Sequence, residues 1–197
     1  CTCTQGTTKL YRNNTDVNTT ENGIATTLPA GTWNYTCNTT GNQNYTTATN
    51  TSLFTIDKAT LTGTITSTNG FTIAYPTQTT IGYSQSNTGA NDITFTIYRN
   101  GTSIGTGETT NLPAGTYQYT LNSTGGTNYT TNASIDTKTL TIQQGTPTCS
   151  LSFDKTSSQT YGTTITPTCT CTQGTTKLYR NNTDVNTTEN GIATTLP

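Results

Sequence analysis

Apolar and polar residues alternate at period two along most of the chain, and no segment holds a helical period over ten residues. Ile93, Phe95 and Ile97 put every second side chain on one face, as a strand half-buried in a sandwich does. Leu61, Gly63 and Ile65 repeat that alternation, as do Phe71, Ile73 and Tyr75, and then Ile81 and Tyr83. Trp33, Tyr35 and Cys37 share one face of another strand, matched by Tyr117, Tyr119 and Leu121. Apolar runs at residues 53–56 and 140–142 close the pattern. The predicted strands are short and bounded by turn chemistry. Asn100-Gly101 signals a two-residue hairpin, and Asn13-Asn14 can serve as one because Asn tolerates positive φ. Val17 and Ile104 are placed to open the returning strands, while Gly41 and Gly125 turn the chain further on. Seven or so short strands in a stretch of about 84 residues predict an all-β fold built as a β-sandwich.

The pattern repeats at two scales. Residues 28–46 return as residues 112–130 with 13 of 19 positions identical, at an offset of 84. Residues 1–29 return unchanged as residues 169–197, at an offset of 168. Because 168 is twice 84, the chain reads as a two-domain unit in tandem, each domain of ordinary small size. The predicted boundaries are residues 1–57 for the C-terminal part of a first domain type, 58–144 for a complete second domain, and 145–197 for the N-terminal part of the next copy of the first. The expectation is a window slightly longer than one period of a longer repeating chain. Asp57-Lys58-Ala59 and Gln143-Gln144-Gly145 leave almost no linker, so neighbouring domains are expected to abut.

Composition narrows the function classes. Only 28% of residues are hydrophobic and 9% charged, with a net charge of −1. The 60 threonines fit pleated strands, where β-branched side chains pack well. Near-neutrality gives no electrostatic basis for nucleic-acid partners or for contact with an anionic membrane. The chain has no His, which removes the usual general base and the commonest metal ligand. Glu21, Asp57, Asp92, Glu108 and Asp136 are scattered, and no Asp-x-Asp-x-Asp loop is present to hold calcium. Cys1-x-Cys3 is not a zinc spacing. No catalytic residue, cofactor site or metal site is predicted, and the chain is not expected to be an enzyme.

Tyr35-Thr36-Cys37, just after a Pro-Gly corner, occupies the place of the tyrosine corner and second cysteine of an immunoglobulin fold. With the Leu-Pro-Ala-Gly-Thr phrases at residues 28–32 and 112–116, the chain resembles the Ig-like repeat domains of archaeal and bacterial cell-surface proteins. Leu121 stands where the second domain would carry a cysteine. The resemblance implies tandem Ig-like β-sandwich domains stacked end to end, outside the cell, where cysteines form disulfides. In such a sandwich Cys149 opens the first strand, and Cys169 and Cys171 close the second at the same end. With Phe153 opposite Ile165, the implied bonds are Cys149–Cys169 within one sheet and Cys3–Cys37 between sheets. The alternative partition is Cys149–Cys171 with Cys1–Cys37.

One positive chemical signal remains, the N-glycosylation sequon. It occurs at Asn13, Asn18, Asn34, Asn38, Asn44, Asn50, Asn100, Asn122, Asn128, Asn132, Asn181 and Asn186. These twelve modestly exceed the roughly eight that chance gives for 21 Asn in a chain with 71 Ser and Thr among 197 residues, and their positions strengthen the signal. Asn34 alternates with Trp33 and Tyr35 and is expected to face out. The expected partners are therefore covalent N-linked glycans and further copies of the same repeat. The reading that unites these features is a structural protein, a glycosylated extracellular filament or surface stalk. Its competitor is the repeat spacer of a cell-surface adhesin. A flat Thr array for binding ice or carbohydrate is disfavoured by a period as long as 84 residues.

Overall fold

Strands form where β-branched and aromatic residues alternate, in a computed structural model that describes residues 1–89 and 91–195. The chain divides into two units, Cys1–Gln143 and Gln144–Pro197.

The first unit opens with an antiparallel sheet of β1 (Thr8–Arg12), β2 (Thr15–Asp16), β3 (Gly31–Thr39) and β4 (Ala48–Ile56), in spatial order β2-β1-β3-β4. Asn13 and Asn14 turn β1 into β2 at φ 47° and 66°. Positive φ at both central residues is what the two-residue hairpin turn requires. The returning strand expected to open at Val17 instead forms just before it, as β2, and ends there. Val17 is buried, and the chain makes a single helical turn, α1 (Asn18–Glu21). Asn18 is the cause: its backbone N–H donates to Asp16 Oδ1 at 3.1 Å, while its side-chain carbonyl accepts from the Leu10 N–H at 3.2 Å. Such local side-chain bonds compete with strand pairing.

The rest of the first unit is a β-sandwich. One sheet runs β10 (Glu108–Thr110), β7 (Thr79–Ser84), β5 (Thr64–Ser67). The other runs β6 (Thr72–Ala74), β12 (Asn132–Gln143), β11 (Gly115–Ser123), β8 (Phe95–Arg99), β9 (Thr102–Gly105). All pairings are antiparallel except β6 with β12. Taken in chain order, three strands face a sheet in which the fourth, fifth, seventh and eighth lie together while the second crosses over to the edge. That is an immunoglobulin-like arrangement. Leu61, Ile65, Ile73, Ile81, Phe95, Ile97, Tyr119, Leu121, Leu140 and Ile142 form the core. Burying each large aliphatic or aromatic side chain contributes about 1.5–3 kcal/mol, so this small core is the main source of the sandwich's stability.

β3 and β4 match β11 and β12 in register. Phe54 lies across from Trp33 as Leu140 lies across from Tyr117. Their surroundings differ: Leu140 is fully buried, whereas Phe54 is 57% exposed.

Among its described residues the second unit contains three two-stranded pairs. They are β13 (Cys149–Phe153) with β15 (Pro167–Cys171), β14 (Thr164–Ile165) with β18 (Thr194–Thr195), and β16 (Tyr179–Arg180) with β17 (Thr183–Asp184). The repeated sequence folds alike in both places. Asn181 and Asn182 turn at φ 47° and 66°, and α2 (Asn186–Glu189) repeats the helical turn. Asn186 accepts from the Leu178 N–H at 3.2 Å, as Asn18 does from Leu10. β1 is longer than β16 because β3 supplies a partner along its other edge, from Thr8 to Arg12.

Candidate modification sites

Two disulfides are present, Cys1–Cys37 and Cys149–Cys171. The expected pairs Cys3–Cys37 and Cys149–Cys169 are not formed; the alternative partition is the one observed. The reason lies in the hairpin register. Phe153 faces Pro167 rather than Ile165, because Ile165 belongs to β14 and pairs with Thr194. That two-residue shift sets Cys149 across from Cys171 and Leu151 across from Cys169. Asn22 fixes Cys1: its Oδ1 accepts from the Cys1 amine at 2.8 Å, and its Nδ2 donates to the Cys1 carbonyl at 3.1 Å. Asn190 holds Cys169 by the same two bonds, at 2.8 and 3.3 Å. Cys3 is exposed and free, and Cys169 is half-buried and free. Each free cysteine has a bonded twin at the 168-residue offset, Cys171 for Cys3 and Cys1 for Cys169. The bonds span 36 and 22 residues. Loops of that size correspond to about 3 to 4 kcal/mol each in the chain-entropy model.

The sequons fall into distinct environments. Asn34 and Asn38 on β3, and Asn122 on β11, lie on the face opposite Tyr35, Cys37 and Leu121. All three are half-buried, and the Asn34 Oδ1 is covered without a hydrogen-bond partner among the described residues. Asn13, Asn100 and Asn181 occupy the first position of hairpin turns. Asn13 Oδ1 accepts from the Asn34 N–H at 2.9 Å, and Asn100 Oδ1 accepts from the Gln118 N–H at 2.8 Å. In both, the amide nitrogen that would carry a sugar is left undonated among the described residues. Asn18 and Asn186 use their carbonyls twice, on a backbone N–H and on Asn22 or Asn190. Asn50 is exposed but lies across from Cys37, on the face that corresponds to the sandwich interior. Asn132 Oδ1 accepts from the Ser134 N–H at 2.9 Å. Asn44 is exposed. Asn128 is consumed at both ends, its Oδ1 accepting from Ala30 and its Nδ2 donating to Gly89.

A polar cluster escaped the sequence reading. Arg99 donates to Glu108, and the Tyr119 hydroxyl donates to Glu108 Oε1 at 2.7 Å beneath the sandwich core. Arg12, Glu21 and Tyr35 repeat it, with the Tyr35 hydroxyl 2.8 Å from Glu21 Oε2. Arg180 and Glu189 form the same pair at 2.8 Å. Burial first, and then the Glu108 carboxylate, push the Tyr119 phenol well above its ordinary range. Burial and Glu21 raise Tyr35 in the same order. Each hydroxyl is thereby held protonated as a donor. The signal was available: Glu follows Arg by nine residues in all three places.

No family model matches the chain, and no curated protein is similar to it. Among solved structures, the Clostridium thermocellum CbhA fibronectin(III)-like modules align over 73% of this chain and 82% of that one, with 11% identity and a TM-score of 0.33.

Proposed function

We propose that this chain is a structural repeat of an N-glycosylated extracellular filament or surface stalk, in which a 168-residue unit of two Ig-like domains recurs. The carrying observation is the complementarity of the cysteines. One period contains four, and the two observed bonds use all four kinds of position once, with Cys3 and Cys169 left unbonded. Under this reading Cys3 joins the Cys149 equivalent of the preceding copy, and Cys169 joins the Cys37 equivalent of the following one. The bare face carrying Phe54 fits the same scheme, since its register twin Leu140 is covered. Disulfides belong to oxidising compartments, which supports the extracellular assignment. A spacer of an adhesin would share this architecture and differ by carrying a binding domain beyond the repeats.

The test is non-reducing peptide mapping of native material together with electron microscopy. The expected result is a continuous fibre in which no cysteine is free. Isolated monomers with reduced thiols at Cys3 and Cys169 would overturn the reading.

A further inference from the structure

We infer that the loop at residues 40–47 docks on the preceding copy of the repeat and holds its turn at residues 112–115 through Asn44. This rests on the tandem-repeat reading above, and its warrant is a joint already formed within the first unit.

At that joint, residues 124–131 of the sandwich wrap the segment that precedes it. Asn128 Oδ1 accepts from the Ala30 N–H at 2.9 Å, and the Asn128 carbonyl accepts from the Ala59 N–H at 2.8 Å. Thr130 N–H donates back to the Ala59 carbonyl at 2.9 Å, and Ala59 forms a parallel bridge beside Tyr129. Lys58 Nζ donates to the Gly126 carbonyl at 2.8 Å. One loop of the following domain thus binds both the Leu-Pro-Ala-Gly turn of the preceding sheet and the connecting segment at Lys58 and Ala59.

Both halves of this joint are duplicated at the other domain. Asn44-Tyr45-Thr46 repeats Asn128-Tyr129-Thr130. The loops already share a shape. Asn42 N–H donates to the Tyr45 carbonyl at 2.9 Å, and Gly126 N–H donates to Tyr129 at 3.0 Å. Gly41 and Gly125 both sit at φ 70°, a left-handed conformation that suits glycine. Their N–H groups donate to Thr39 Oγ1 and Ser123 Oγ at 3.3 and 3.2 Å. The receiving turns match too, since Trp33 Nε1 donates to the Pro29 carbonyl at 3.1 Å and the Tyr117 hydroxyl to Pro113 at 2.9 Å. Ala114 takes the place of Ala30 in the repeated Leu-Pro-Ala-Gly, and Gly145 follows Ile142 at the spacing by which Ala59 follows Ile56. Among the described residues the Ala114 N–H and the Asn44 side chain make no hydrogen bond, and Tyr45 is 56% exposed. A preformed loop and a preformed turn, each the copy of a bonded counterpart, therefore await each other. Little ordering entropy opposes their union, because both are already shaped. The occupant of the 40–47 loop is the second domain of the copy before it.

Amide hydrogen exchange tests the joint on two chains, the 197-residue chain and the same chain extended by one 168-residue period. In the shorter chain the Ala30 amide exchanges slowly and the Ala114 amide freely. In the extended chain the first Ala114 amide slows at least about tenfold, matching Ala30, as a newly bonded amide does. Replacing the downstream Asn44 equivalent by Ala releases Ala114 and leaves Ala30 protected; Asn128→Ala does the reverse. Free exchange of that Ala114 in the extended chain, with Ala30 still protected, overturns the inference. Imaging of native material judges the filament reading separately, so the two can fail independently.

Discussion

The Tyr119 hydroxyl donates to Glu108 at 2.7 Å, eleven residues upstream, and joins β11 to β10 across the two sheets of the sandwich. In a tyrosine corner the hydroxyl returns to the backbone a few residues upstream. Here it meets a carboxylate that also pairs with Arg99, so one acid satisfies a buried phenol and a half-buried guanidinium. Glu108→Ala leaves both donors without their acceptor and should destabilise the sandwich by about 2 to 3 kcal/mol. Tyr119→Phe removes one hydrogen bond while keeping the ring, and should lose about 1 kcal/mol. Urea unfolding with unchanged m-values measures both. Equal small losses would show that neither Tyr119 nor Arg99 depends on the Glu108 carboxylate.

The raised Tyr119 pKa carries a sign. A phenol whose folded pKa lies above its unfolded value of about 10 contributes stability that is complete below pH 10. That contribution falls as pH rises from 10 toward the folded pKa, because the unfolded chain releases its proton first. Thermal melting of the wild-type chain should therefore decline above about pH 10, and more steeply than that of Tyr119→Phe. Parallel declines in the two proteins would contradict this account.

Phe54 and Leu140 are twins in register with opposite exposure. Leu140→Ala opens a cavity in a closed core and should destabilise the chain by about 3 kcal/mol. Phe54→Ala in the same chain removes an exposed ring and should change stability by no more than about 0.5 kcal/mol. In a chain extended upstream by one period, the filament reading has Phe54 covered, and the same substitution should then approach the cost at Leu140. A Phe54→Ala effect that does not change on extension would argue that this face stays open.

Period-two alternation made the sandwich legible, because each inward position from Phe95 to Ile97 and from Tyr119 to Leu121 ends in the core. Hairpin tips were legible through Asn13-Asn14 and Asn100-Gly101, whose positive φ values only a few residue types adopt readily. The disulfide pairing was not legible for a definite reason. A strand slip of two residues keeps every side chain on its own face, so alternation cannot distinguish Cys149 opposite Cys169 from Cys149 opposite Cys171. In Thr-Thr-Ile-Thr-Pro-Thr-Cys-Thr-Cys either register looks equally good, and the β14–β18 pairing decides it. The returning strand stops short of Val17 because the Asn18 side chain, which hydropathy does not register, bends the chain there. The Asn128 joint depends on residues 98 positions apart, and no local pattern encodes such a contact.

Sequon chemistry and fold geometry make opposed demands at one asparagine, which gives the last prediction. A glycan is attached through the side-chain nitrogen and is too bulky for a packed joint. Asn128 donates that nitrogen to the Gly89 carbonyl at 3.2 Å while its Oδ1 holds Ala30. A sugar there would replace one of the two amide hydrogens and leave the other for Gly89, so it is the bulk of the glycan between Ala30 and Gly89 that opposes the joint. Asn34, Asn38 and Asn122 lie on an outer sheet face, and Asn100 stands at a hairpin tip with its carbonyl alone engaged. Intact-glycopeptide mass spectrometry of the native protein should find sugar at Asn34, Asn38, Asn100 and Asn122 and bare asparagine at Asn128. If the joint of the further inference forms, Asn44 should be bare as well, although it is exposed in the 197-residue chain. Occupied Asn128 in a protein whose Ala30 amide is still protected would refute the assignment of that side chain to the joint. Bare asparagine at the four outward positions would remove the glycosylated part of the proposed function and leave the fold and the disulfides untouched.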